Sequence, residues 1–301
     1  MHQITKTYSL GAHLLGGILL AALSQMGNGA IRAQEPTPAP SNAPAEKPQE
    51  KLHEWPQLKS GEPERVVAQL GQLRKADPAV QAAAKQQLLS IGPAAAPMLF
   101  GQVTGQANNI NELVFGVLDE MLQQQHSALM VRECKKPKPE LRRYLILRLC
   151  RFREASLLPV LVATQKDPDA TTSFYASLGA LALKDKGALP AVIQHTKMQW
   201  ATVGPLVAEI LPAARCNEVG AWVFEAITKA PAADQMAGLR IARYVAVKEQ
   251  GILLRSYLQG SDRAVVKEAV NTARVIHGEA PIENLNVFQS IEMAKEWLGK
   301  L

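Results

Sequence analysis

From about Glu62 to the C-terminus, apolar residues recur at helical spacing in short blocks separated by Pro, Gly and Asp. The blocks Ala79–Ile91, Ile110–Gln124, Glu140–Phe152, Thr172–Leu183, Pro205–Ala214, Gln235–Val247 and Arg263–Ile276 each predict an amphipathic helix. In the third, Leu141, Leu145, Leu149 and Phe152 form one stripe, with Arg142, Arg143, Arg148 and Arg151 largely off it. In the sixth, Met236, Leu239, Ile241, Ala242 and Val245 form a wider one. An earlier block, Glu64–Lys75, carries Val67, Leu70 and Leu73 and reads as an N-terminal cap. Asn286–Gly299, with Phe288, Ile291, Ala294 and Trp297, reads as the closing stripe.

Between these blocks runs a second periodic signal. Pro97, Ala128, Pro159, Pro190, Trp222 and Leu253 follow one another at steps of 31, 31, 31, 32 and 31, and each opens an apolar stretch. Proline suits the first helical turn, where its missing N–H has no partner to lose. The column therefore predicts the start of a second helix in each unit. Two short helices joined by a turn cannot bury both apolar faces alone, whereas stacked pairs cover one another. The expected fold is all-α, a right-handed superhelical solenoid of about seven helix pairs spanning residues 62–301.

Residues 79–99 (AVQAAAKQQLLSIGPAAAPML) resemble a HEAT repeat of the bacterial type related to phycobilisome-lyase repeats. The likeness lies in the small residues of the first helix, Ile91-Gly92-Pro93 at the turn, and Pro97-Met98-Leu99 opening the second. Residues 170–193 resemble it again, through Leu178-Gly179-Ala180-Leu181 and Ala188-Leu189-Pro190, while other units keep the period without the turn signature. The resemblance implies a scaffold or adaptor more often than an enzyme, and no fixed catalytic residues.

Composition adds address and charge. Apolar residues make up 47% of the chain, enough for a large core, so wholesale disorder is excluded. No apolar run approaches the roughly 20 residues of a membrane-spanning helix. Lys6, the 14-residue apolar stretch Leu10–Leu23 and the small residues leading to Ala33 have the order of a secretory signal peptide over residues 1–33. Cleavage after Ala33 would leave a chain in the periplasm or outside the cell. Residues 34–61 hold six prolines and few large apolar groups, and read as a disordered tether. Loss of Lys6 and Arg32 leaves 31 basic and 27 acidic residues, net +4.

That positive charge is local. Residues 132–153 contain Arg132, Lys135, Lys136, Lys138, Arg142, Arg143, Arg148, Arg151 and Arg153 against Glu133 and Glu140, net +7 in 22 residues. Seven residues beyond the column positions come Lys135, Lys166, Lys197 and Lys229 in four consecutive units. Each complements the negative end of a helix dipole, and together they predict a ladder able to seat an acidic segment. The candidate partner-binding residues are thus Arg132, Lys135, Lys136, Lys138, Arg142, Arg143, Lys166, Lys197 and Lys229.

Catalytic signals are sparse. His126, His195 and His277 lack acidic or Cys neighbours at metal-ligand spacing, so no metal or other cofactor is expected. His195 reads as a surface helix residue. Cys134, Cys150 and Cys216 are an odd number, and about 15 Å of helical rise separates the first two, so free thiols are expected. The sequence therefore points to a non-enzymatic extracytoplasmic scaffold or adaptor that binds a protein partner. The alternative is a binder of anionic envelope polymer or lipid headgroups through the basic run. A lyase-like enzyme by family analogy stands third. Nucleic acid is disfavoured by export and by the lack of a stacking platform.

Overall fold

A computed structural model describes residues 52–106 and 109–301. The signal peptide and most of the tether lie outside the described residues. Among the described residues fourteen α-helices follow in order: α1 Glu62–Leu73, α2 Pro78–Ile91, α3 Ala96–Gln102, α4 Ile110–Met121, α5 Ser127–Glu133, α6 Pro139–Phe152 and α7 Leu158–Thr164. Then come α8 Ala170–Ala182, α9 Leu189–Ile210, α10 Asn217–Ile227, α11 Ala232–Val245, α12 Arg255–Leu258, α13 Arg263–Ile276 and α14 Val287–Lys300. Among the described residues there is no strand. The chain is an all-α solenoid.

Polar residues at the breaks set where helices start. Asp77, Asp169 and Asp262 sit in extended conformation and accept from the first backbone N–H groups of α2, α8 and α13. Asn286 and Gln289 form a reciprocal cap on α14. The second helices α3, α5 and α7 are only 7 residues long, each entered through a tight 3-10 turn. Helices this short are marginal alone in water, so packing must hold them.

Substantial packing joins α1 to α2, α2 to α4, α6 to α8, α8 to α9, α9 to α11, α11 to α13 and α13 to α14. Second helices lie against the first helices beside them, as α7 does against α8 and α10 against α11. One continuous core runs through the stack from Val66 to Trp297. Within it, Leu88, Val117, Leu145, Leu178, Val207, Leu239 and Val270 are fully buried. Each unit hides the apolar flank of the next.

Several details depart from the pattern-based expectation. Pro97, Ala128, Pro159 and Pro190 do stand at the second position of α3, α5, α7 and α9, but Trp222 is the sixth residue of α10, and Leu253 precedes α12. The period is instead carried by helix ends. Gln102, Glu133, Thr164, Ile227 and Leu258, each five residues after a column position, close α3, α5, α7, α10 and α12. Arg153 and Lys184, also 31 apart, take the left-handed conformation just beyond α6 and α8.

The break expected before Pro205 is a kink inside α9, at Gln199 (φ −137°, ψ 32°). In α1 the buried stripe is Val66, Leu70 and Leu73, leaving Val67 60% exposed; in α14 it is Ser290, Ala294 and Trp297, leaving Phe288 73% exposed. Both terminal helices use i, i+4, i+7 spacing, which follows a 3.6-residue turn more closely than an i, i+3, i+6 stripe.

Close packing makes small residues obligatory at some crossings. A methyl group at Gly179, in the middle of α8, would run into Cys150 Sγ and lie 3.2 Å from Leu161 Cδ1, both buried. Gly71, on the exposed side of α1, has nothing within 4 Å of that position. Gly179→Ala is therefore expected to cost about 1–3 kcal/mol through overpacking. Gly71→Ala should add about 0.5–1 kcal/mol through helix propensity. Urea unfolding of the two variants beside the parent measures both.

Candidate functional site

The basic run lies on α5, the turn after it, and α6, and the fold neutralises most of it. Arg142 makes a bidentate pair with Asp167 through Nε (2.9 Å) and Nη2 (3.0 Å), and Arg143 pairs in the same way with Asp169. Asp169 also caps α8 through the N–H and hydroxyl of Thr172, and the Arg143 guanidinium beside it holds its carboxyl well below the usual carboxylate range. Arg148 donates to the carbonyls of Asp119 and Leu122 that end α4, and Arg151 pairs with Glu209. Lys138 Nζ donates to the carbonyls of Gly101 and Val103, Arg132 to that of His53, and Lys136 pairs with Glu133.

Apart from Lys136, whose partner is three residues away, and Arg132, which holds residue 53, these side chains tie separate repeats together. Of the candidates in the run only Lys135 makes no side-chain hydrogen bond or ion pair among the described residues. The Asp167-Pro168-Asp169 turn was the available sequence signal, because it places two carboxylates one repeat beyond Arg142 and Arg143.

The lysine column is also only partly free. Lys135, Lys166 and Lys229 each stand two residues past the end of a second helix, are exposed, and form no ion pair among the described residues. Lys197 lies inside α9, two residues before the kink, and is bridged to Asp234 at 2.7 Å.

A further site element was not visible in the sequence. Trp55, in the stretch read as the last part of the tether, packs on the second helices: its ring stacks on His126 at 6.0 Å and meets the edge of Phe100 at 5.7 Å. Leu52 N–H donates to the carbonyl of Gln125, and Trp55 Nε1 to Glu133 at 3.4 Å. Residues 52–58 are thus a strap across α3 and α5, held by one backbone bond, the Arg132 side chain and one aromatic anchor, and the tether expected over 34–61 does not extend through them. Proline content marked the extended backbone and not the contact.

Further along the same face, α9 and α10 enclose a groove of about 600 Å³. Leu189, Pro190, Ile193, Trp222 and Ala226 form its apolar walls, and the Lys186–Glu225 and Lys197–Asp234 pairs border it. Pro190 and Ala226 are exposed, and Ile193 and Trp222 half-buried. Val162 on α7 and Met198 on α9 add exposed apolar surface.

Reactive groups are muted. All three cysteines are free, and burial pushes the Cys134 and Cys150 thiols up to about 12. His195 is half-buried against the Phe174 ring at 4.7 Å and is not the surface residue expected; burial lowers its pKa. Among the described residues no group of His, Cys, Asp or Glu is placed to hold a metal ion, and no helix is long and apolar enough to cross a membrane.

No family model matches the chain, and no curated protein matches it. A solved structure of human deoxyhypusine hydroxylase in complex with glycerol is similar at 13% identity, covering 79% of this chain and 97% of that one, with a TM-score of 0.32. The helical repeat architecture fits a HEAT-like fold. The expectation that the chain is not an enzyme is corrected by this finding, since the matched protein is a hydroxylase and stacked helices do not exclude catalysis. A likeness this distant carries no activity to the present chain.

The strap supplies a test. His126 Nδ1 accepts from Gln123 N–H at 3.0 Å, which leaves the ring proton on Nε2, buried without a partner; burial lowers the pKa below 6.5. A lowered histidine pKa contributes stability that is present above about pH 6.5 and lost as pH falls through and below it. Hydrogen exchange of residues 52–58 is therefore expected to quicken between pH 7 and pH 5, after correction for the intrinsic rate. His126→Gln should flatten that dependence.

Proposed function

We propose that this chain is an exported scaffold or adaptor whose HEAT-like repeats, of the phycobilisome-lyase-related type, bind an extended segment of a protein partner on the face of the second helices. The observation that carries this reading is the strap. Residues 52–58 already lie across α3 and α5 with an aromatic side chain seated between consecutive second helices. The α9/α10 groove offers the same kind of surface to a second chain. Apolar side chains that stay in water on consecutive helices gain by being covered, at roughly 25 cal/mol per Å².

Export rests on the signal-like residues 1–33 and the proline-rich stretch after them. The alternative of an anionic polymer or lipid partner has less support, because the arginines that suggested it are paired within the fold. What remains for charge is steering by Lys135, Lys166 and Lys229, which line the ends of the second helices.

The reading is tested by selecting binders from a random-peptide display library. Peptides with an aromatic residue in an extended context are expected to protect α9 and α10 from hydrogen exchange. Pro190→Glu, an exposed substitution in the groove wall, should weaken them at least tenfold without moving the melting temperature. Protection confined to the basic run, with affinity falling steeply between low and physiological salt, would replace the protein partner by a polyanion.

A further inference from the structure

On the first-helix side of the stack, a cleft of about 450 Å³ opens between the second half of α9, α11, α13 and the loop before α14. Its floor is an ionic triad. Arg240 donates through Nε (3.0 Å) and Nη2 (2.8 Å) to one oxygen of Glu268, and Arg243 pairs with the other. Arg243 and Glu268 are 4% and 7% exposed, so the triad holds two guanidinium groups and one carboxylate away from bulk water.

Arg240 alone already ties α11 to α13 through two hydrogen bonds to that one oxygen. The second arginine is surplus to that tie, and its Nε is buried with no hydrogen-bond partner. A buried guanidinium lacking both a full counter-charge and a full set of acceptors is costly, and a purely structural joint would do as well with an apolar side chain. The Trp200 ring lies over both guanidiniums, 5.1 Å from Arg240 and 5.8 Å from Arg243, and keeps water from that side.

The remaining walls divide by chemistry. Ala201, Pro205, Pro281 and Ile282 form an apolar half, and Lys267, Tyr244 and Asn271 stand with the arginines in the polar half. Asn271 fixes the loop by exchanging two hydrogen bonds with the backbone of Ile282 (2.8 and 3.1 Å), so the cleft has a set shape. Glu283, exposed on the rim, offsets the charge of Lys267.

We propose that this cleft is a binding site for a small organic carboxylate with an apolar body. The carboxylate lies against the Arg240 and Lys267 donors of the polar half, where it offsets the charge of Arg243 buried behind them, and the body lies on Pro205, Pro281 and Ile282. One uncompensated positive charge matches a monoanion better than a phosphate, and the apolar wall favours a hydrophobic ligand over an inorganic one. Burial and the neighbouring Arg240 lower the Arg243 pKa only to about 10, so it stays cationic at neutral pH.

The probes are 2-naphthoate, its neutral amide and inorganic phosphate, added to the chain lacking residues 1–33 and followed by calorimetry and by the Trp200 indole NH resonance. Naphthoate is expected to bind saturably and shift that resonance, with the amide and phosphate at least tenfold weaker. Ala208→Phe fills the cleft while leaving the triad intact, and should abolish binding with an unchanged melting temperature. Arg243→Met should lose it as well; if that variant fails to fold, Ala208→Phe decides. Absence of saturable naphthoate binding, equal binding of the amide or phosphate, or retained affinity in Ala208→Phe would overturn the proposal.

Discussion

A helix of seven residues cannot persist in water, because the few backbone hydrogen bonds it forms do not repay the ordering of its chain. The second helices α3, α5 and α7 exist only because a longer first helix, α4, α6 or α8, lies against their apolar flank. This dependence on the next layer shapes everything else in the molecule. It makes the core one unbroken ribbon and puts small residues such as Gly179 where layers cross most closely.

Electrostatics follows the same logic of near neighbours. The arginines of α6 look like a cationic patch only while the chain is read as a string. In three dimensions Arg142 and Arg143 meet the carboxylates of the turn one repeat on, and Arg148 reaches the carbonyls that end α4, one repeat back. Each pairing joins layers that apolar packing already brings together, so the charges settle register more than they add attraction for an outside polyanion. The Arg240–Glu268–Arg243 triad differs in kind. It carries one cation more than its tie between α11 and α13 requires, and it lies at the floor of a cleft.

The two faces of the stack therefore offer different chemistry. Second helices present short apolar ridges that take extended chain, as residues 52–58 do across α3 and α5. First helices, longer and more fully buried, form a cleft where α9 kinks at Gln199 and the loop before α14 returns over them. A wide shallow surface suits a peptide, whereas a narrow cleft with buried charge suits a small anion.

Periodicity along the chain determined the helical class, the repeat of about 31 residues and the starts of four second helices, at Pro97, Ala128, Pro159 and Pro190, because all three depend on local spacing. It also marked the free thiols, since helix rise alone separates Cys134 from Cys150. Only the tertiary structure decided which charges are spent: the partners of Arg142, Arg143, Arg151 and Lys197 lie 25 to 58 residues away, a separation at which no local pattern survives. The same holds for Trp55, whose place on the array depends on a surface built by α3 and α5, and for the Trp200 cleft, assembled from four separated stretches. Local spacing acts within one layer, whereas sites form between layers.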